Sequence, residues 1–103
     1  MIIFVDIDNT ILKTQDLNYE NSVPMVERIN IINKLYDSGH TIIYWTARGT
    51  GTGKNWVDLT KKQLNKFSAK YHELRFGKPV YDMFIDDKNF NSEEFFNEKY
   101  KTI

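Results

Sequence analysis

The chain has 103 residues, with 14 basic and 14 acidic side chains and no net charge at neutral pH. That length suits one domain, expected over residues 1–103. The charge balance argues against a protein that works by coating nucleic acid or an anionic membrane. No cysteine is present, so disulfides, thiolate catalysis and thiolate metal sites are excluded. The only histidines, His40 and His72, read as turn and structural residues rather than as a zinc site. No run approaches about 20 apolar residues, and Met1–Asp6 lacks the basic lead of a signal peptide, so a cytoplasmic protein is expected.

Ile2–Val5 is a short continuous apolar run, the pattern of a strand buried on both faces. Residues 9–23 are polar and irregular. Pro24 suits the first turn of a helix, where its missing N–H costs nothing. Val26, Ile29, Ile32 and Leu35 then recur at helical spacing until Gly39. Thr41–Trp45 is a second buried strand, followed by the glycine-rich loop Gly49–Gly53. A helix is predicted from about Asn55 to Tyr71, with Trp56, Leu59, Leu64 and Phe67 near one face. Short strands are predicted at Glu73–Phe76 and Tyr81–Ile85. A last helix should run from Ser92 to Tyr100, with Ser92 as N-cap and Phe95 and Phe96 buried.

Strands alternating with helices predict an α/β fold, a small parallel Rossmann-like sheet covered on both faces as a three-layer sandwich. Ligands of such sheets sit beyond the carboxyl ends of the strands. Asp6 and Asp8, Thr46 and Arg48, and Asp86 and Asp87 all follow apolar runs, so they should gather at one edge.

Asp6 and Asp8 are two residues apart. In extended chain their side chains share a face, with Cα atoms ~6–7 Å apart, so a phosphorus atom fits between them. One carboxylate can attack while the other protonates the leaving oxygen. A solvated pair in a turn is the plainer explanation. Asp86 and Asp87 weigh against it: four converging acids repel one another unless a cation joins them, and Mg²⁺ is the usual choice beside phosphate oxygens. Thr46 and the N–H groups after it suit a phosphate oxygen. Lys78 precedes the last predicted strand and can balance the carboxylates and bind the transferring group.

These residues together resemble the haloacid dehalogenase-like superfamily of phosphohydrolases. Asp6-Ile-Asp8-Asn-Thr10, Thr46, Lys78 and Met83-Phe-Ile-Asp86-Asp87 match its four motifs in order, over nearly the whole chain. The resemblance implies a Mg²⁺-dependent phosphatase working through an aspartyl-phosphate. Asp6 would be nucleophile, Asp8 general acid and then base, and Thr46 and Lys78 would hold phosphoryl oxygens. The metal would be bound by the Asp6 carboxylate, the Asp8 backbone carbonyl and Asp87. Asp86 would orient Lys78 or a metal-bound water, and the Asp86 and Asp87 roles are interchangeable on the sequence. Asp8 points to phosphate esters, because the dehalogenase members lack a second acid there.

The short segments 8–24 and 48–78 leave no room for a cap domain, so a capless member is expected. Similarity to small bacterial phosphatases, carried by Trp45-Thr-Ala-Arg48-Gly49, favours a sugar phosphate as the small phosphorylated metabolite. Arg48 and Lys54 are candidates for substrate contact, and a homo-oligomer is one way to close an open site. Two other readings stand beside this one. A receiver-like phospho-accepting signalling domain uses similar residues in a different order. A catalytically silent scaffold would keep the fold alone. A P-loop is excluded, because Arg48 and Asn55 stand where that pattern needs Gly and Ser or Thr.

Overall fold

The computed structural model describes residues 1–103. Strand β1 (Ile2–Val5) pairs in parallel with β4 (Thr41–Trp45), and β4 pairs in parallel with β5 (Glu73–Arg75), giving the order β1-β4-β5. Two further strands, β2 (Leu12–Lys13) and β3 (Val23–Pro24), make a short antiparallel hairpin. The helices are α1 (Val26–Asp37), α2 (Val57–Lys66) and α3 (Ser92–Asn97), and a final 3₁₀ turn covers Lys99–Thr102. The protein is thus a small α/β sandwich built on a three-stranded parallel sheet.

The register explains which residues form the core. Ile3 and Val5 stand beside Ile42 and Tyr44 on one face of the sheet. That face meets Ile29, Ile32 and Leu35 of α1 and Leu64 of α2. Each such side chain contributes roughly 1.5–3 kcal/mol on burial. The other face is left open at β1, where Ile2 is 70% exposed and Phe4 49%, although Phe4 meets Trp45 edge-on and its neighbour Ile43 on β4 is buried. The expectation that Ile2–Val5 is buried on both faces therefore fails on this side, because no helix covers it.

Several boundaries also shift. Pro24 lies in β3, paired with Leu12, two residues before the first helical residue. Helix α2 is shorter than its pattern, and Gly39 ends α1 with a left-handed φ of 98°. Asn91, not Ser92, caps α3, its side chain accepting from the Glu93 N–H.

The largest difference is Tyr81–Ile85, which forms no strand. Residues 79–91 are exposed throughout, Ile85 by 88%. The cause lies at Lys78, whose N–H donates to the Thr46 carbonyl at 3.1 Å and whose carbonyl accepts from the Thr50 hydroxyl at 2.9 Å. The chain is held at the carboxyl end of β4. A parallel strand beside β1 would have to start at the opposite end, ~13 Å away for four residues. Three residues from Lys78 to Tyr81 reach only ~10 Å. The outer edge of β1 thus has no partner.

One buried group is left without a partner. The Tyr44 hydroxyl, on a fully buried ring, makes no hydrogen bond, and burial pushes its phenol well above the ordinary value. An unsatisfied buried hydroxyl costs about 1–3 kcal/mol. Tyr44→Phe is expected to raise the melting temperature by about 4–8 °C, the effect of ~1 kcal/mol in a domain of this size. A lower melting temperature would mean that the hydroxyl has a partner in solution.

Candidate active site

The carboxyl end of β1 leads directly into the acid pair. Ile7, between Asp6 and Asp8, is fully buried and anchors the turn. The N–H groups of Thr10, Ile11 and Leu12 all donate to the Ile7 carbonyl, and Asn9 takes a left-handed φ of 59° to let the chain reverse. Asp6 and Asp8 are both left partly open to solvent.

Asp6 keeps 36% of its side chain exposed, enough for a small molecule to reach it. Its Oδ1 lies 3.5 Å from Lys78 Nζ, and its Oδ2 accepts from the Thr10 hydroxyl at 3.3 Å. Burial raises the Asp6 carboxyl above its ordinary value of 3.8, only partly offset by the Lys78 charge and the Ile7 N–H. Lys78 Nζ also lies 5.9 Å from the Trp45 ring and 5.5 Å from the Tyr81 ring. The two side chains that the resemblance casts as nucleophile and counter-charge are therefore adjacent.

Asp8 is held more tightly. Its Oδ2 accepts from Arg48 Nε at 2.9 Å, and its Oδ1 accepts from Arg48 Nη2 at 2.8 Å and from the Thr14 hydroxyl at 2.6 Å. This is the two-pronged fork of guanidinium on carboxylate. Arg48, expected to contact substrate, has no exposed side-chain surface. Thr46 is buried as well, and its Oγ1 accepts from the Arg48 N–H at 3.1 Å. Its hydroxyl donates to no group of the protein.

Lys54 is exposed and lines a cleft of about 270 Å³ between the glycine loop, Trp56 and Phe76. A second cleft, of about 430 Å³, lies against the β2–β3 hairpin. It is lined by Thr14, Gln15, Asn18 and Asn21 among others, so it is polar.

Asp86 and Asp87 do not join Asp6 and Asp8. They sit on the exposed segment, where the Asp86 carboxylate accepts from the Lys88 N–H at 2.7 Å in a local turn. No three acid or histidine side chains lie close enough to hold a metal ion. As arranged here, the acids do not fit Mg²⁺. Sequence reasoning also missed Thr60 and Gln63, whose side chains bond to Arg48. A signal for them exists: two polar residues three apart on the face of α2 that carries Leu64.

No family model matches the chain, and no curated protein is similar to it. Among solved structures, it is similar to that of a structural-genomics target from Vibrio cholerae. The two share 24% identity over 98% of this chain and 94% of that one, with a TM-score of 0.84. That likeness establishes a shared fold.

Proposed function

We propose that the protein is a haloacid dehalogenase-like phosphatase that hydrolyses a phosphate monoester of a small metabolite, with a sugar phosphate as the favoured class. The observation that carries this reading is the pairing of an accessible Asp6 with Lys78 at 3.5 Å, beside a second acid two residues on. Asp6 attacks phosphorus, and the bond from phosphorus to the leaving oxygen breaks. That oxygen takes a proton from Asp8. Water then attacks the aspartyl-phosphate, returns a proton to Asp8 and releases phosphate and free Asp6. Lys78 neutralises the oxygens of the transferring group, and the Thr46 hydroxyl hydrogen is available to one of them.

Mg²⁺ dependence, also part of this reading, belongs to a form in which Lys78 has let go of Thr46 and Thr50, which frees residues 81–87 to lie along the open edge of β1. That move would carry Asp86 and Asp87 toward the end of β1 that leads into Asp6. Amide hydrogen exchange tests it: residues 82–85 should gain protection when Mg²⁺ is added. Unchanged exchange at saturating Mg²⁺ would remove the metal from the reading. A phosphatase assay over a panel of metabolite esters, with and without Mg²⁺, tests the function itself. The separation of the acids favours the alternative of a silent scaffold, and no turnover of any ester would select it.

A further inference from the structure

The six buried polar residues of the protein are Thr14, Ser22, Thr46, Arg48, Thr60 and Gln63. All of them belong to one network centred on Arg48. A guanidinium has five N–H groups and no acceptor. Here all five are used. Nε and one Nη2 hydrogen go to Asp8, Nη1 donates to Thr60 Oγ1 at 3.0 Å and to Gln63 Oε1 at 2.6 Å, and Nη2 also approaches Ser22 Oγ at 3.5 Å. The ring of Tyr19 covers the guanidinium at 4.7 Å. No donor is left for a phosphate.

The directions of the remaining hydrogen bonds follow by elimination. Thr14 and Ser22 hydroxyls lie 2.7 Å apart, and the Thr14 hydroxyl gives its one hydrogen to Asp8. Ser22 must therefore donate to Thr14, which leaves the Ser22 oxygen to accept from Arg48. Thr60 donates to the Trp56 carbonyl at 2.7 Å and accepts from Arg48. Gln63 accepts from Arg48 and donates through Nε2 to the Tyr19 carbonyl at 2.6 Å. Tyr19 belongs to the loop between β2 and β3. The amide serves both ends, whereas a carboxylate cannot donate and an apolar side chain can do neither.

We infer that Arg48 is a positioning residue that orients the Asp8 carboxylate, and that Gln63 ties this hold to the β2–β3 flap through Tyr19. The inference rests on the phosphatase reading and replaces the expectation that Arg48 binds substrate. A buried charge network is seldom retained for stability, since apolar replacements are often as stable. Holding an acid at the correct angle accounts for this one. A carboxyl group fixed by Arg48 and Thr14 presents a defined oxygen to the leaving group when it carries the proton, and a small misplacement there costs rate rather than affinity.

The experiment is steady-state kinetics on Gln63→Met and Arg48→Ala, with the fold checked by circular dichroism. Gln63→Met should lower kcat by about tenfold or more while KM stays within about threefold. Added guanidinium ion should restore part of the kcat of Arg48→Ala. A raised KM at constant kcat, or unchanged kinetics in Gln63→Met, overturns the inference whether or not Arg48→Ala folds. A readout independent of turnover is the solvent exchange of the Arg48 Nε–H, followed by ¹⁵N NMR. It should be slow in the wild type and faster in Asp8→Asn and in Gln63→Met. Equal exchange in all three overturns the hold on Asp8. A wild-type protein that cleaves no ester but shows this pattern would instead sink the phosphatase reading alone.

Discussion

Asp6→Asn should abolish turnover and stabilise the protein in the same step. Removal of the proposed nucleophile should lower kcat by a factor on the order of 10⁴ or more. The stability gain comes from the cost of burying a charge. The Asp6 carboxyl is raised by burial, and the neighbouring Lys78 only partly offsets it. An acid raised in the folded state binds its proton more tightly there than in the unfolded chain. Stability is therefore lost as pH climbs from the ordinary value of 3.8 through the raised one, and the penalty is complete above it. Asparagine escapes this penalty. The variant should melt a few degrees higher than the wild type near neutral pH, and the difference should vanish below the ordinary carboxylate range. Thermal melts of both proteins across pH check it. A variant that melts lower at neutral pH would mean that the Lys78 pair outweighs burial. The same shift should move the acid limb of the rate profile upward from the ordinary value of 3.8, because the proposed nucleophile must be ionised.

Gly49→Ala should be the most damaging single substitution outside the core. Gly49 has a left-handed φ of 81°, and a methyl group there would overlap the Lys54 carbonyl and crowd Trp56. Its carbonyl accepts from the Gly53 N–H at 2.8 Å, closing the loop on itself. Left-handed backbone costs an alanine roughly 1–2 kcal/mol before any overlap. With the overlap, a loss of about 2–4 kcal/mol is expected, a fall of about 10–25 °C in melting temperature. The effect should reach the site, because Thr50 in this loop holds the Lys78 carbonyl. Gly51 is the internal control: a methyl group there meets nothing, so Gly51→Ala should melt close to the wild type. Comparable losses in both variants would refute the steric account.

Much of this arrangement is legible in the chain. The apolar runs 2–5 and 41–45 become β1 and β4, and the 26–35 periodicity becomes α1, because a buried strand and an amphipathic helix each leave a regular mark. The ends of those strands bring Asp6, Asp8 and Thr46 to one edge, with Lys78 beside them. Other features leave no such mark. Strands β2 and β3 have two residues each, too few for any period to show. Tyr81–Ile85 has the composition of a strand, but composition does not say whether the chain can reach an edge. The hold of Thr46 and Thr50 on Lys78 decides that here. The surroundings of Arg48 are hidden in the sequence for a related reason. A lone arginine after a strand looks like an anion ligand, and only the placement of Thr60 and Gln63 on α2 shows that its five donors are already used.

If the protein is the proposed phosphatase, Asp6 carries the phosphoryl group during turnover. The most direct measurement is to quench the enzyme during turnover of a phosphate ester and sequence its peptides by mass spectrometry. One phosphoryl group on Asp6, labile to hydroxylamine and missing from Asp6→Asn, is the expected result. A phosphoryl group on another residue, or steady turnover with none on the protein, would contradict it.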